Sequence, residues 1–332
     1  MDRLSRIAPA LPLVALGVLA AAAAVAVLAT GPLAVAPDAL VAALFGQGTP
    51  EAEQALTLRA PRLLAAAGCG AALAGAGAAF QTLFRNPLAS PDLLGVSSGA
   101  GLGAAVALLF GAGAALVQGA AFAGGLAAGA LALACAALGR SGDGRLALIL
   151  CGIVAGALAS AGLGLVVTLA EPYSQLPAIT YWLLGSFTRA TLGEAGLALV
   201  PMIAGAVVLI WLGFRLDILS MGDEQARSLG LRARPLRLVA LAAAALMTSA
   251  AVAVAGVVGW IGLLAPHAAR LIVGERAGRL IPASMAVGAL FALAVDRLAT
   301  AFGPAELPVG LLSAAVGAPV FLILFVAVSR RG

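Results

Sequence analysis

The sequence contains no lysine, so all 19 of its basic side chains are arginines. A nucleotide-binding loop of the pattern G-x-x-x-x-G-K-[ST] uses its lysine to reach the β and γ phosphates of ATP. The absence of lysine therefore excludes such a loop. If ATP drives this protein, we expect a separate subunit to bind the ATP and magnesium and to hydrolyse the nucleotide.

Charged residues are also scarce. They make up 10% of the 332 residues, whereas soluble domains carry about 25%. The mean hydropathy is +1.11, and the arginines fall between apolar stretches rather than inside them. This pattern predicts a protein that crosses the membrane many times. No basic and aromatic patch accompanies the net charge of +5, so we expect no nucleic-acid partner.

Residues that bind metals are few. His267 is the single histidine, and Cys69, Cys135 and Cys151 lie in apolar stretches rich in glycine and alanine. We expect the cysteines to pack in the interior, His267 to make a structural hydrogen bond, and no metal site to form. The fragment Gly95–Gly99 matches the G-x-S-x-G pattern of serine hydrolases, but it begins an apolar helix instead of joining a strand to a helix. An intramembrane hydrolase is therefore a weak alternative.

Long apolar stretches dominate the chain and predict an all-α fold, a single transmembrane domain over residues 1–332. The first stretch exceeds a signal-peptide core and is taken as a retained span. Polar breaks place ten spans near 7–29, 62–84, 93–110, 115–138, 145–169, 191–212, 235–254, 256–273, 280–300 and 308–328.

An even number of spans puts both termini on one side of the membrane. In this topology four arginines lie opposite the termini, namely Arg59, Arg62, Arg189 and Arg297. On the side of the termini lie Arg3, Arg6, Arg85, Arg140, Arg145, Arg215, Arg227, Arg232, Arg234, Arg237, Arg270, Arg276, Arg279, Arg330 and Arg331. The positive-inside rule then predicts cytoplasmic termini in a multi-pass protein of the cytoplasmic (inner) membrane.

Small residues recur every four positions in two spans. The third span has Gly95, Gly99 and Gly103, and the fifth has the series Gly152, Gly156, Ser160 and Gly164. Such series let helix backbones approach closely in lipid. They indicate either tight packing or a smooth wall along a substrate path, and for the fifth span both interpretations stay open.

Arg59 and Arg62 stand where arginine is unexpected. They lie on the side that the positive-inside rule depletes, and we predict that they flank Pro61 at a helix N-terminus, where the helix dipole disfavours cations. Docking of an acidic partner explains both why these arginines lie on the depleted side and why they lie at a helix N-terminus. A local salt bridge to Glu51 or Glu53 is the alternative.

One extended polar segment, about residues 214–234, follows the sixth span. It predicts two short helices, with Asp217 and Ser220 as caps, a break at Gly222 and a stop at Gly230. The segment is either a folded loop or the contact point of a soluble motor. No span has an ionisable residue at its centre, which disfavours the alternative of a carrier driven by an ion gradient.

Several longer motifs, in order along nearly the whole chain, resemble those of one family. They are Arg59-Ala60-Pro61-Arg62, then Gln81 with Arg85-Asn86-Pro87-Leu88-Ala89-Ser90-Pro91 and Leu94-Gly95, then Met221-Gly222-Asp223-Glu224-Gln225-Ala226 with Leu229-Gly230, then Gly262-Leu263-Leu264-Ala265-Pro266-His267 with Arg270, and finally Pro282, Asp296 and Glu306-Leu307-Pro308-Val309-Gly310. The sequence resembles the FecCD-type permeases of binding-protein-dependent ABC importers for iron siderophores, haem and cobalamin.

The resemblance implies partners. It implies a homodimer with a path at the two-fold interface, lined largely by the fifth and tenth spans, two copies of a P-loop ATPase, and a periplasmic substrate-binding protein. The expected cargo is an iron chelate, either haem or a ferric siderophore, with cobalamin as the alternative.

The resemblance also implies roles for individual residues, none of them catalytic. Arg59, Arg62 and Arg297 are expected to dock the binding protein. The residues expected to couple to the ATPase are Asp217, Met221, Gly222, Asp223, Glu224, Gln225, Ala226, Leu229 and Gly230. Candidates for the path or its gate are Gln81, Asn86, Pro87, Gly152, Gly156, Ser160, Gly164, Ser313 and Gly317.

Overall fold

The described part of the chain is built from helices. A computed structural model describes residues 11–30, 34–138, 144–301 and 306–329, which contain thirteen α-helices and no strand. In chain order these are α1 Leu11–Ala29, α2 Pro37–Leu44, α3 Pro50–Phe84, α4 Val96–Leu109, α5 Ala114–Leu138, α6 Gly144–Leu169, α7 Gln175–Leu183, α8 Leu192–Met221, α9 Asp223–Ser228, α10 Ala233–Ala255, α11 Ile261–Val273, α12 Ala277–Ala301 and α13 Val309–Ser329. A 3₁₀ turn, Pro91–Leu94, precedes α4.

Each of the ten predicted spans corresponds to one of these helices. Within the described ranges, seven helices are long and apolar enough to cross a membrane. Helices α4, α11 and α13 are also apolar, but their apolar segments are shorter. The remaining helices α2, α7 and α9 are short connectors. Arg3, Arg6, Arg140, Arg330 and Arg331, which contribute to the predicted orientation, lie outside the described residues.

Helix α3 is the centre of the bundle and packs against α8, α10, α11 and α12. Glycine permits the closest of these approaches. A Cβ atom at Gly77 would stand 1.9 Å from the carbonyl oxygen of Gly262, and one at Gly70 would stand 2.2 Å from that of Gly288. Because lipid provides no hydrophobic drive between helices, such backbone contact is a main source of their association.

The N-terminus of α3 differs from the prediction. The helix begins at Pro50, where the Thr49 hydroxyl accepts a hydrogen bond from the Ala52 amide, and it continues through Pro61. The prediction that Pro61 begins the helix is therefore wrong, and Arg59 and Arg62 lie well inside α3. A proline inside a membrane helix is tolerated where neighbouring groups satisfy the freed backbone carbonyl.

Two other helix bounds differ from the prediction. Helix α8 continues past residue 212 to Met221, and it begins with a capping box formed by Thr191 and Glu194. Helix α11 begins only at Ile261, since Gly256 and Trp260 adopt positive φ angles of 74° and 69° and residues 256–260 are not helical.

Helices α6 and α13 lie at the edge of the bundle. Within the described residues, α13 packs mainly against α11 and α12, and α6 packs mainly against α4 and α5. Both helices leave large apolar side chains uncovered by the chain, among them Leu150, Ile153 and Leu158 in α6, and Leu322 and Ile323 in α13. These are the fifth and tenth predicted spans.

The two ends of α3 define the two ends of the bundle. We call the end that contains Arg62 the Arg62 end, and the opposite end, where α9 lies, the Asp223 end. Arg85, which follows α3, reaches the Asp223 end, because one of its Nη atoms lies 3.6 Å from the position of a Cβ atom built on Gly222.

Candidate functional site

Arg62 holds together three segments that are distant in sequence. Its Nε donates hydrogen bonds to both carboxylate oxygens of Asp296 in α12, at 2.9 and 3.0 Å. Its Nη1 donates to Glu306 at 2.8 Å and to the Thr188 hydroxyl at 3.2 Å, and that hydroxyl in turn donates to Glu306. We call these four residues the Arg62 cluster. Arg62 therefore forms salt bridges with Asp296 and Glu306, whereas the alternative interpretation had placed a salt bridge with Glu51 or Glu53.

Glu306 is the carboxylate of the Arg62 cluster that lies outside the helices. Partial burial acts to raise its pKa, but the hydrogen bonds from Arg62 and Thr188 and the charge of Arg62 outweigh burial, so the pKa of Glu306 is lowered. A lowered pKa in the folded state means that this ion pair stabilises the fold at neutral pH. The stabilisation is lost as the pH falls below the usual range of a glutamate carboxyl.

Arg59 and Arg297 meet at the C-terminal end of α1. Arg59 Nη1 donates to the Leu28 carbonyl at 2.6 Å, and Arg297 Nη2 donates to the carbonyls of Val27 and Thr30, the latter at 3.0 Å. Because the last carbonyls of a helix lack partners inside it and carry partial negative charge, two guanidinium groups are favourable there. The three predicted docking arginines thus lie together at the Arg62 end.

The segment after α8 makes one short helix rather than two. Residues 214–221 continue α8, so Asp217 and Ser220 do not begin a helix of their own, and that prediction is wrong. The predicted break and stop are confirmed, since Gly222 and Gly230 have φ angles of 135° and 76°. Helix α9 buries Ala226 and exposes Glu224 and Gln225. Met221 and Leu229, on either side of α9, are also exposed.

Hydrogen bonds of Asp217 and Asp223 tie this segment to the bundle. The Asp217 carboxylate accepts from the Ala277 amide at 2.6 Å, so it caps the N-terminus of α12 instead of its own helix. Asp223 accepts from Arg237 of α10 at 2.6 Å. Sequence reasoning gave Arg237 no role, because a partner 14 residues away leaves no local pattern.

The small residues of the fifth span divide into two groups. Gly152 and Gly156 pack against the residues just before α4. A Cβ atom at Gly152 would stand 1.8 Å from the Leu93 carbonyl oxygen, and one at Gly156 would stand 3.4 Å from the Cα atom of Gly95. Ser160 and Gly164 are exposed, and nothing lies within 4 Å of a Cβ atom built at Gly164. Packing thus accounts for the first two positions only.

The other path candidates lie in two places. Gln81 is buried and bridges helices, donating to the Leu263 carbonyl at 3.3 Å and accepting from Arg270 at 3.1 Å, while Asn86 and Pro87 are exposed beyond the end of α3. Ser313 is buried and donates to the Gly310 carbonyl. A Cβ atom at Gly317 would stand 2.8 Å from Trp260 Cβ.

His267 and Ser97 do not form a catalytic pair. Ser97 donates a hydrogen bond to Asp92. His267 packs against the Phe321 ring, and neither of its ring nitrogens has a hydrogen-bond partner within the described ranges. The predicted structural hydrogen bond of His267 is therefore wrong. The described residues also contain no group of three or more His, Cys, Asp or Glu that could hold a metal ion.

Within the described residues, apolar helices of spanning length that pack through close backbone contacts define a multi-pass membrane protein. The model of the FecCD transport family matches residues 18–327. The chain belongs to this family of ABC importer permeases, which are not themselves catalytic and which work with ATPase and binding-protein partners.

Individual relatives agree with the family match. The chain is 38% identical to the Fe(3+)-citrate import system permease protein YfmE of Bacillus subtilis over 97% of both proteins. It is 39% identical to the hemin transport system permease protein HmuU of Yersinia pestis, over 81% of this chain and 82% of the relative. It is 34% identical to the molybdate import system permease protein MolB of Haemophilus influenzae, over 83% and 81% respectively.

A solved structure shares the fold. An ABC transporter described as of the metal-chelate type, in an inward-facing conformation, superposes with a TM-score of 0.86 at 32% identity, covering 95% of this chain and 98% of the other. The chain is therefore a permease of the metal-chelate type of ABC importer. Membership in this family sets aside both the ion-gradient carrier and the intramembrane hydrolase.

Proposed function

We propose that this permease imports an iron chelate, haem or a ferric siderophore, across the cytoplasmic membrane. The observation that carries the proposal is the similarity to an Fe(3+)-citrate permease over 97% of both chains. The described residues offer no cluster of metal ligands along the helices. In our proposal the metal therefore crosses inside its organic chelate, and the path contacts the chelate rather than the metal.

The proposed assembly is a homodimer with its path between the two copies. Helices α6 and α13 support this arrangement, because they lie at the edge of the bundle and leave apolar side chains uncovered. Two P-loop ATPases bind at the Asp223 end and contact α9 and its exposed neighbours. Closure of the ATPases moves α9, and the salt bridge of Asp223 to Arg237 passes that motion to α10. Both termini lie on this cytoplasmic side.

The binding protein docks at the Arg62 end in this proposal. Arg297 donates to neutral backbone carbonyls and keeps its charge available to a carboxylate of the partner. Arg62 is already paired with two carboxylates of its own chain, so we expect it to organise the docking surface more than to attract the partner.

Replacing Arg297 with Gln should weaken binding of the binding protein by up to about fivefold, since an exposed ion pair contributes about 0–1 kcal/mol. Most of the loss of affinity should come from a slower association rate, and the difference from the unaltered protein should shrink at high salt concentration. Surface plasmon resonance at two salt concentrations measures the association rate and the dissociation rate. Arg189→Gln is the matched control, because Arg189 is an exposed arginine at the same end that stacks on Tyr181 at 5.7 Å. Equal effects of the two variants would reject a specific docking role for Arg297.

The cargo is tested by uptake in proteoliposomes that contain the permease, its ATPase and its binding protein. Radioactive iron supplied as ferric siderophore or haem should accumulate inside when ATP is present. Cobalamin and molybdate, each radioactively labelled and supplied in a separate reaction, are the comparison cargoes, since cobalamin is the alternative cargo and one relative is a molybdate import permease. Accumulation of cobalamin or molybdate in place of the iron chelates would overturn the proposed cargo and leave the family assignment intact.

A further inference from the structure

A cavity of about 440 Å³ lies at the Asp223 end, between the last turn of α3, the loop that follows it, the end of α8 and helix α11. Its polar lining comes chiefly from Gln81, Arg85, Asn86, His267, Arg270 and Glu275. Three of these residues, Gln81, His267 and Arg270, belong to apolar helices whose other buried side chains are almost all hydrophobic. The concentration of polar groups at this point calls for a physical explanation.

The cavity contains buried nitrogen atoms without hydrogen-bond partners. His267 is 8% exposed, and in the described part of the chain neither Nδ1 nor Nε2 has a partner. Arg270 donates through one Nη atom to Gln81, but its other Nη atom is buried and unpartnered. Buried polar side-chain atoms nearly always have a partner, and an unsatisfied one costs about 1–3 kcal/mol, more when it is charged. These nitrogens are therefore available to bind a ligand in the cavity.

The charge of the lining selects the kind of ligand. Arg85 and Arg270 are positive, Glu275 is the one carboxylate of the lining, and His267 adds a further positive charge when protonated. The net charge is thus +1 with neutral His267 and +2 with the imidazolium. Ordered water can satisfy a single donor, but it leaves this excess of positive charge in place. An anion with several acceptor oxygens satisfies both the donors and the charge.

We propose that this cavity binds a phosphate group, supplied either by the headgroup of an anionic membrane lipid or by free phosphate. Basic pockets between membrane helices at the cytoplasmic side are typical sites for lipid phosphates. The cavity also has room for the ester substituents of a headgroup. Arg85 is the guanidinium that lies closest to the Gly222 break before α9. A bound phosphate would thus join α3 and α11 next to the segment that we assign to the ATPase.

The test uses the purified full-length permease in a neutral detergent, stripped of lipid. It is titrated separately with short-chain phosphatidylglycerol, with inorganic phosphate and with short-chain diacylglycerol, which has no phosphate. Affinity and thermal stabilisation are measured for each probe. We expect saturable binding of phosphatidylglycerol or of inorganic phosphate, but not of diacylglycerol. The probe that binds identifies the source of the phosphate.

Variants locate the site. Arg270→Gln and His267→Gln should each weaken binding of that probe about tenfold, because each replaces a donor that carries or can carry a positive charge with a neutral amide, and charge-assisted hydrogen bonds are about twice as strong as neutral ones. Arg270→Lys, which keeps the charge, should recover part of the affinity. Arg215→Gln is the matched control, because Arg215 belongs to the last turns of α8 at the same end and stacks on Trp211 at 4.2 Å, outside the cavity.

Two results would overturn the proposal. The first is that neither phosphate probe binds the unaltered protein more tightly than diacylglycerol does, a comparison that needs no variant. The second is that Arg215→Gln weakens binding as much as Arg270→Gln and His267→Gln do, which would indicate general attraction to a basic surface.

Discussion

Replacing Arg62 with Gln should lower the free energy of unfolding by about 3–5 kcal/mol, the usual effect of removing one partner from a buried ion pair. Asp296 is the reason, because its side chain is only 4% exposed and both of its oxygens accept from Arg62. Without the guanidinium, a buried carboxylate remains with no partner of opposite charge in the cluster. Thermal unfolding of the purified permease in detergent, followed by tryptophan fluorescence, measures the loss.

A double variant separates this explanation from a simple loss of packing. Arg62→Gln combined with Asp296→Asn removes the buried charge together with its partner, so it should be more stable than Arg62→Gln alone. Arg62→Glu should be the least stable variant, since it brings a third carboxylate beside Asp296 and Glu306. A double variant as unstable as Arg62→Gln would contradict the role of the ion pair. Loss of uptake in any variant at Arg62 must therefore be compared with its stability before it is attributed to docking.

Replacing Gly152 with Ala should destabilise the permease by about 1–3 kcal/mol or more, the range for overpacking in a filled interior. The added Cβ atom would stand 1.8 Å from the carbonyl oxygen of Leu93, and a backbone atom cannot move aside as a flexible side chain does. Helix α6 would have to separate from the 3₁₀ turn before α4. The midpoint of thermal unfolding and the yield of monodisperse protein measure the effect.

Gly164 in the same helix is the matched control. No atom lies within 4 Å of its added Cβ, so Gly164→Ala should leave stability unchanged or raise it by up to about 1 kcal/mol, the difference in helix propensity. Gly164→Leu should also fold. If Gly164 faces the proposed path, however, the leucine variant should transport more slowly. Equal destabilisation by Gly152→Ala and Gly164→Ala would reject the division of this glycine series into packing and exposed positions.

Each of the ten spans predicted from the sequence corresponds to a helix of the described residues, although only seven of these helices are long and apolar enough to cross a membrane. Apolar stretches separated by arginine, proline and glycine indicate spans because the bilayer requires about 20 apolar residues for each crossing. Two helix starts were predicted wrongly, one at Pro61 and one at residue 256. Proline usually marks a helix start, but here neighbouring helices hold α3 continuous on both sides of it. The positive φ angle of Trp260 is set by tertiary packing and leaves no mark in the composition.

The sequence indicated candidate site residues but not the contacts that they make. The resemblance to the FecCD family drew attention to the arginines at the Arg62 end and to the segment around Gly222, and the structure shows where each group lies. Their partners were not predictable, because Arg62 and Asp296 are 234 residues apart and Asp217 and Ala277 are 60 apart. The unpartnered nitrogens of His267 were missed for a different reason, since a single histidine in an apolar helix more often has a structural hydrogen bond.

The most direct test of the account is transport by the isolated chain in proteoliposomes, compared with transport by the chain together with its ATPase and binding protein. The isolated permease should hydrolyse no ATP, because it has no lysine to form a P-loop, and it should accumulate no iron chelate. Accumulation should begin only when both partners and ATP are present. Accumulation of chelate against its gradient, or hydrolysis of ATP, by the isolated chain would contradict the account.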